Sequence, residues 1–274
     1  MQPISALSLA LAVTDWLANS RHPRILHIFD QACNLVNEHR EVLSVVTPQI
    51  GNGPFNLVIE NNALFSEHLS LQSSVSFSTT QLDLGDLTIH IVDAKLWNPR
   101  PDWEVLHAKR DEILSRLTRL PTTNYQFSNS LVAGLSTALA NADIPSSLTA
   151  AQKLAGLGQG LTPSSDDFIL GAVLAAWIIH PPEIASVLAR EITNIAAPLT
   201  TSLSAAWLRS AGKGEAGILW HEFFESLPVG NTSDIQLQIT KLLSVGETSG
   251  ADALSGFFGV ISSFKTHIID ECPS

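Results

Sequence analysis

Cysteine is scarce in this chain of 274 residues, and the scarcity excludes two classes of protein. The two cysteines, Cys33 and Cys272, stand far apart in the sequence. A disulfide-stabilised secreted domain would carry several cysteines, and a structural zinc site would carry ligand pairs at close spacing. We therefore expect a cytoplasmic protein without a disulfide framework.

Basic residues are also few. The chain has 15 Lys and Arg against 26 Asp and Glu, which gives a net charge of −11 at neutral pH. Nucleic acid and anionic membrane surfaces attract basic proteins, so we expect neither as the main partner. A small anionic substrate is not excluded, because backbone amides and a few cations can bind it locally.

Apolar runs long enough to cross a bilayer are missing as well. Residues 5–18 are mostly apolar, but the run is short, Asp15 interrupts it, and no basic residue precedes it. These features argue against both a membrane span and a signal peptide. We expect residues 5–18 to form an N-terminal helix packed on the body of the protein.

Three common catalytic or nucleotide-binding motifs are absent. There is no GxxxxGK[ST] phosphate loop, no glycine fingerprint placed between a strand and a helix, and no GxSxG nucleophile turn. ATP binding of the Walker type, dinucleotide binding and acyl-enzyme chemistry therefore have no support from the sequence.

The apolar residues that are present predict a two-domain α+β protein. Between residues 24 and 97, six short apolar segments alternate with turn-forming residues, which favours an antiparallel sheet or small barrel, since parallel pairing would need longer crossovers. The segment Asn98-Pro99-Arg100-Pro101 breaks this pattern, and helical periodicity follows. We predict an N-terminal helix plus antiparallel β domain over residues 1–100 and an all-helical domain over residues 101–274.

The most informative stretch is GLGQGLTPSSDDFILG, residues 156–171. Its three alternating glycines predict a loop whose backbone can approach a ligand closely. Thr162 and Pro163 predict a helix start, with Thr162 as the cap and Pro163 as the first helical residue. Such a start suits an anion, and the carboxylates of Asp166 and Asp167 suit Mg²⁺ or another divalent cation.

A second stretch, GETSGADALSG at residues 246–256, resembles the first. In both, a glycine precedes a threonine by two residues and another glycine follows an aspartate by four. The spacing allows Asp252 to correspond to either Asp166 or Asp167, with a one-residue offset between the alignments. We expect Gly171 and Gly256 to permit close helix–helix contact, and the two helix starts to face one pocket.

The sequence leaves a structural alternative open for each of these features. Acids near a helix start stabilise the helix dipole without any ligand. Asn52 lies in a Gly-Asn-Gly segment that is typical of a hairpin turn, and Thr201 lies in a hydroxyl-rich segment that we assign to the middle of a helix, where hydroxyls bond to the preceding turn.

On the functional interpretation, the candidate residues fall into two groups. The candidate catalytic or metal-binding residues are Asp166, Asp167 and Asp252. The candidate substrate-binding residues are Gly158, Gly160, Thr162, Ser164, Ser165, Thr248, Ser249, Gly250, Asn52 and Thr201.

These stretches, together with GNGPFNLVI, FDQACNLVN and TTSLSAAWLRSAGKGE, resemble the bacterial AllH family. The resemblance implies a subunit of oxamate carbamoyltransferase, which acts in anaerobic allantoin breakdown, part of purine degradation. It implies the exchange of oxalurate and phosphate for oxamate and carbamoyl phosphate. It also implies a hetero-oligomer with other carbamoyltransferase subunits.

Three hypotheses follow from the sequence. The leading one is an AllH-like carbamoyltransferase subunit that binds its anionic substrate at the two helix starts. The second is a stand-alone metal-dependent enzyme acting on a phosphorylated or carboxylated metabolite. The third is a non-catalytic assembly subunit in which both motifs only cap and pack helices.

Overall fold

The computed structural model describes residues 4–62, 64–120 and 130–270, and the side chains of the last helix as far as residue 264. The chain divides into two compact units, Met1–Pro99 and Arg100–Ser274, each with its own apolar core. A nearly closed sheet is followed by a helical region, with 54% helix and 16% strand, which confirms the predicted α+β class. None of the described helices is long and apolar enough to cross a membrane. Cys272 lies outside the described residues.

The N-terminal unit is a sheet of nine strands over its described residues. The strands are β1 (Ile4–Ala10), β2 (Arg24–Ile28), β3 (Ala32–Val36), β4 (Val42–Val46), β5 (Asn56–Ile59), β6 (Val75–Phe77), β7 (Gln81–Leu84), β8 (Leu87–His90) and β9 (Lys95–Trp97). Their order is β2-β3-β4-β5-β1-β8-β7-β6, and β9 pairs with β1. Two helices, α1 (Leu11–Asn19) and α2 (Phe65–His68), accompany the sheet.

Strand β1 occupies a position where the sequence predicted helix. Ile4 and Ala6 are buried while Ser5 and Leu7 are exposed, so the first residues alternate with the period of a strand. The helix begins only at Leu11, and the prediction of one helix over residues 5–18 is wrong for its first half. The apolar composition of the segment hid this alternation because Leu7 is an exposed apolar residue.

The pairing is mostly antiparallel, as expected, but three strand pairs are parallel. These pairs are β1 with β8, β1 with β9, and β4 with β5. Residues 47–55 join β4 to β5 and return the chain to the start of the neighbouring strand without a helix. Parallel pairing therefore occurs here across a shorter connection than the sequence argument allowed.

The second unit is helical throughout its described residues. Its helices are α3 (Trp103–Ala108), α4 (Arg110–Thr118), α5 (Ser130–Ala140), α6 (Ile144–Leu154), α7 (Ser164–Ile179), α8 (Pro182–Ala196), α9 (Ser202–Gly212), α10 (Ile218–Val229), α11 (Thr232–Leu243) and α12 (Ser249–Asp270). A single 3₁₀ turn, Ala197–Leu199, separates α8 from α9.

Helix α7 is the centre of this unit. All of its residues after Ser164 are buried, which agrees with the apolar character of the predicted helix on all sides. It begins at Ser164, one residue after the predicted first helical residue Pro163, and ends at Ile179. The surrounding helices bury their apolar faces against it, so both ends of α7 are held in place by the core.

Two predicted helices are each interrupted. Continuous helical periodicity predicts one helix over residues 103–119 and another over residues 184–210, but the first is divided at Lys109 and the second around Pro198. Pro198 has no N–H to continue the helical hydrogen bonds, and its ring restricts the preceding turn. The second interruption matters for the site, because it brings Thr200 and Thr201 out of the helix.

Candidate functional site

The glycine loop, residues 156–163, leads into α7. Gly156, Gly158 and Gly160 have φ angles of +76°, +126° and +92°, which residues with a side chain rarely adopt. A Cβ on Gly158 would lie 2.7 Å from the backbone nitrogen of Ser164, so the loop folds tightly against the helix start. Pro163, expected as the first helical residue, has ψ 138° and is itself the cap residue. The prediction of Thr162 as the cap is therefore wrong, and the Thr162 hydroxyl contacts Ser249 instead.

Asp166 holds the glycine loop in place. Its side chain is 2% exposed, and its Oδ1 accepts a hydrogen bond from the backbone N–H of Gly156 at 2.8 Å. Its Oδ2 accepts a hydrogen bond from the hydroxyl of Thr200. Both carboxylate oxygens are thus used within the protein, which indicates a structural role.

Two further hydroxyls, both predicted to bind substrate, also hold the loop. Ser165 donates to the backbone carbonyls of Leu157 in the loop and of Leu154 at the end of α6. Thr201 donates to the carbonyl of Leu161 at 2.6 Å and accepts from the N–H of Ser204 at 3.1 Å. Thr201 therefore caps α9 while it ties that cap to the loop, where the sequence had predicted a mid-helix position.

Helices α7 and α12 pack against each other through glycine. A Cβ on Gly171 would lie 1.7 Å from the carbonyl oxygen of Ala253, and a Cβ on Gly256 would lie 2.0 Å from that of Phe168. No side chain can be added at either position without moving a helix backbone. This confirms the expectation that the two glycines permit close contact.

The two helices run in the same direction. At one end, the hydroxyl oxygens of Thr162 and Ser249 are 2.9 Å apart, and at the other the rings of His180 and Phe264 are 6.0 Å apart. The N-terminal ends of α7 and α12 therefore lie side by side. Their N–H groups and positive dipole ends meet at one place. The pocket that the sequence hypothesis placed between the two starts stays a prediction.

The structure also decides between the two alignments of the repeated motif. The helices begin at Ser164 and Ser249, and their packed glycines are Gly171 and Gly256. Both pairs are separated by 85 residues, and the same separation matches Asp167, not Asp166, with Asp252. Each of these aspartates is the fourth residue of its helix.

Asp167 and Asp252 form the centre of the candidate site. Each is 8% exposed, and each has a buried Oδ2 without a hydrogen-bond partner among the described residues. Burial raises the pKa of Asp167 to about 7; the hydroxyls of Ser249 and Thr162 lower it, and the charges of Asp252 and Asp166 raise it. Burial likewise raises the pKa of Asp252, against a lowering by the hydroxyl of Thr248.

The raised pKa values and the unused oxygens mark this pair as the least satisfied acids of the candidate site. A buried carboxylate with an unused oxygen costs stability unless another group satisfies it. Asp167 is close enough to Asp252 for the charge of one to disfavour ionisation of the other. A shared proton or a ligand between the two carboxyls would relieve both costs.

Metal ligation by all three predicted aspartates has no geometric support. Among the described residues, no group of three His, Cys, Asp or Glu side chains is placed to hold a metal ion. Asp166 differs from the other two because its oxygens are already occupied. A cation at this place would depend on Asp167 and Asp252.

Some predicted substrate-binding residues lie elsewhere or have another evident role. Asn52 belongs to the N-terminal unit, where its Oδ1 accepts a hydrogen bond of 2.6 Å from Ser8. A Cβ on Gly250 would lie 1.8 Å from the carbonyl oxygen of Leu242, so this glycine allows α12 to approach α11. Gly160 has open space around its Cβ position, so it serves the loop conformation or leaves room beside the loop. A ligand role for these three residues stays a prediction.

Thr200 is the site residue that sequence reasoning missed. Its hydroxyl is the second partner of Asp166, and it reaches that carboxylate because the helix ends before it. The signal was Pro198, two residues earlier, followed by a threonine that can cap the next helix.

Comparison with protein families gives two matches. The model of the AllH family N-terminal domain matches residues 5–96, and the model of oxamate carbamoyltransferase subunit AllH matches residues 154–261. The second match begins just before the glycine loop and ends within α12, so it includes both helix starts. No solved structure matches the chain.

Proposed function

The chain belongs to the AllH family, and on this premise we propose that it is the AllH-like subunit of a carbamoyltransferase assembly. The proposed assembly includes other kinds of subunit and exchanges oxalurate and phosphate for oxamate and carbamoyl phosphate. A cytoplasmic location and a role in allantoin breakdown belong to the same proposal.

One observation supports a chemical role for this chain within the assembly. Two buried carboxyls with unused oxygens, those of Asp167 and Asp252, lie at adjacent helix starts beside a glycine loop. Perturbed acids of this kind are typical of functional sites, although structural networks can produce them too. Thr162 and Ser249 add two hydroxyl groups at the same place.

Electrostatics limits how an anion could bind here. Two ionised carboxylates would repel phosphate or oxalurate more strongly than two helix dipoles would attract it, since each helix end is equivalent to about half a charge. An anion therefore needs at least one of the two carboxyls to be protonated. The raised pKa of Asp167, about 7, allows this near neutral pH.

The reaction needs a proton to move. A phosphate oxygen attacks the carbamoyl carbon of oxalurate, the bond from that carbon to the amide nitrogen breaks, and the nitrogen leaves with a proton to give oxamate. Phosphate gives up a proton as it becomes carbamoyl phosphate, a mixed anhydride. We assign this transfer to the Asp167–Asp252 pair, which can hold one proton and release it near neutral pH.

The test is a carbamoyl phosphate assay on the purified chain, alone and co-expressed with the products of its flanking genes. We expect activity in the assembly, and a loss of about 100-fold or more in Asp167→Asn, the usual scale of general acid–base catalysis. Asp111→Asn is the matched control, because Asp111 is 83% exposed on α4.

Two outcomes would contradict the proposal. Absence of activity both in the chain alone and in the co-expressed assembly would exclude the proposed carbamoyl transfer. Full activity of Asp167→Asn and Asp252→Asn within an active assembly would show that these aspartates are not catalytic. It would favour a non-catalytic assembly subunit, in which the same substitutions should instead lower stability or partner binding.

The unused oxygens of Asp167 and Asp252 also favour a second candidate, a metal-dependent enzyme acting alone on a phosphorylated or carboxylated metabolite. Hard carboxylate oxygens suit Mg²⁺, which is often held by one or two carboxylates together with the substrate. This candidate predicts thermal stabilisation by Mg²⁺ or Mn²⁺ that disappears in Asp167→Ala and Asp252→Ala. If stabilisation is the same in both variants, or absent in the wild type, the candidate is excluded.

A further inference from the structure

The helical unit contains a second feature suited to anions, which we call the basic cavity. It has a volume of about 510 Å³, and its lining includes Arg100, Arg190, Arg209 and Lys213 but no acidic residue. Four of the chain's 15 basic residues thus line one cavity in a protein of net charge −11. Trp177, which also lines it, lies about 20 Å along α7 from the helix start.

Helix periodicity explains how these side chains converge. Arg190 and Asn194 lie four residues apart on α8, with Thr193 beside them, and all three face the cavity. Arg209 and Lys213 have the same spacing at the end of α9. The cavity is therefore formed between one face of α8 and one face of α9.

Close packing fixes the distance between the two helices. A Cβ on Gly212 would lie 2.1 Å from Oγ1 of Thr193, so α9 approaches α8 closely at the edge of the cavity. Any larger residue at position 212 would push the helices apart.

Two tryptophan side chains hold the end of α9 and the turn that follows it in place. The indole N–H of Trp103 donates to the carbonyl of Gly214 at 2.8 Å, and that of Trp177 donates to the carbonyl of Ala211 at 3.1 Å. The two indole rings are stacked, with centroids 5.7 Å apart. The guanidinium of Arg100 lies 5.4 Å from the centroid of the Trp177 ring. The cations therefore project from a rigid base, which lowers the entropy lost on binding.

Two acids, Glu191 and Glu215, lie near the four cations, so the cluster keeps a net positive charge. Glu191 pairs with Arg190 at 3.2 Å, but both side chains are largely exposed. Glu215 lies near Lys213 and Arg100, whose charges act on its carboxyl, but burial is the larger influence and raises its pKa. The carbonyl end of α9 attracts Arg209 and Lys213, whereas Arg190 lies within α8 and Arg100 precedes every helix of this unit.

We propose that the basic cavity binds a small metabolite through a doubly charged oxyanion group, either a phosphate or a pair of carboxylates. Guanidinium groups bind such oxygens with paired hydrogen bonds, and three are present. The volume lies within the range of about 300–1,000 Å³ for small-molecule sites. The proposal does not rest on the proposed function, because it concerns different residues at the other end of α7.

Isothermal titration at low ionic strength tests the proposal, with inorganic phosphate, pyrophosphate and oxalate as separate probes. We expect saturable binding of at least one probe and a dissociation constant raised about tenfold or more in Arg190→Gln and Arg209→Gln. Arg119→Gln is the matched control, since Arg119 is an exposed arginine at the end of α4 and does not line the cavity. If phosphate or pyrophosphate binds and oxalate does not, the recognised group is a phosphate. If only oxalate binds, the recognised group is a pair of carboxylates.

Three results would overturn the proposal. One is the absence of saturable binding to the wild type for all three probes. Another is an equal loss in Arg119→Gln, which would indicate a general charge effect. The third is binding that survives Arg190→Gln and Arg209→Gln but disappears in Ser249→Ala, which would place the anion at the helix starts. Circular dichroism of each variant establishes that it is folded before titration.

Discussion

The starts of α7 and α12 share their register but differ in how the preceding chain is held. At α7, Asp166 and Ser165 each make one hydrogen bond to the glycine loop and a second one to a neighbouring segment, Asp166 with Thr200 and Ser165 with Leu154. At α12, the corresponding residues are Ala251 and Gly250, which have no polar side chain to offer. The longer loop before α7 therefore has side-chain anchors that the chain before α12 lacks.

This difference separates structural residues from candidate functional ones. Features present at only one start, such as Asp166, serve the local loop. Features present at both starts are the ones that the helix pair itself requires: a serine at the first position, an aspartate at the fourth and a glycine at the eighth. The glycines have an evident packing purpose, whereas each aspartate has a buried oxygen without a hydrogen-bond partner among the described residues, which a ligand or a proton could satisfy.

The largest expected effect is on the shared glycines. We expect Gly171→Ala to lower the free energy of unfolding by about 3 kcal/mol, at the upper end for overpacked cores, because its Cβ would meet the Ala253 carbonyl at 1.7 Å. Urea denaturation measures this. Gly134→Ala on α5 is the control: nothing lies within 4 Å of its Cβ position, and alanine there should stabilise by up to about 1 kcal/mol. Similar effects of the two substitutions would show that α7 and α12 are not in close contact.

The next effect separates the two neighbouring aspartates. Asp166→Asn should lower the free energy of unfolding by about 1–3 kcal/mol. The side-chain amide nitrogen would replace one of the two carboxylate oxygens that accept hydrogen bonds, and the buried group that donated to that oxygen would lose its partner. Asp167→Asn should leave stability at pH 7 unchanged or increase it, since it removes a buried charge whose Oδ2 lacks a described partner. Thermal and urea denaturation of both variants measure the difference. The opposite order would reverse the assignment of structural and functional acid.

The dependence of stability on pH should reveal the raised pKa of Asp167. The pKa of Asp167 is raised from 3.8, its ordinary value, to about 7 in the folded protein, so the folded state holds the proton more tightly. Its contribution to stability is complete below pH 3.8 and is lost as the pH rises towards 7, by about 1.4 kcal/mol per pH unit at most. Asp167→Asn should remove this decline, whereas Asp111→Asn should leave it. A wild type and Asp167→Asn with parallel pH profiles would contradict the raised pKa.

The smallest expected effect concerns the contact between the two starts. Thr162 and Ser249 are joined by one hydrogen bond of 2.9 Å, so their coupling should be about 0.5–1.5 kcal/mol. A double-mutant cycle with Thr162→Val and Ser249→Ala measures it. A coupling near zero would mean that the hydroxyls do not bond in solution and that the helix starts are farther apart.

Much of the helical unit could be predicted from the sequence where local signals were strong. The bounds of α7 followed from Thr-Pro at one end and His180-Pro181 at the other, and the packed glycines followed from their position inside apolar helices. Strand β1 could not be predicted so simply. A short apolar segment is compatible with either a helix or a strand unless the exposed position of Leu7 is known. The exposure of Leu7 depends in turn on which strands pair with the segment.

The candidate site was predictable in outline but not in the roles of its acids. Asp166 and Asp167 are adjacent and identical in type, and spacing alone matched either with Asp252. Their roles depend on direction: successive residues of a helix point about 100° apart, so one carboxylate faces the loop and the other faces α12. Thr200 and Thr201 were misassigned because the prediction carried a helix through Pro198.

The pairing of α7 with α12 also has a consequence for the order of events during synthesis. The partner of α7 is the last described helix, so the ribosome must deliver 82 further residues after Gly171 before that glycine can meet Ala253. Until then the most apolar helix of the protein remains without the surface that covers it, a state in which nascent chains are prone to associate. A nascent chain stalled before residue 249 would lack α12, which covers α7 and carries Asp252. We expect chaperones to bind such a chain.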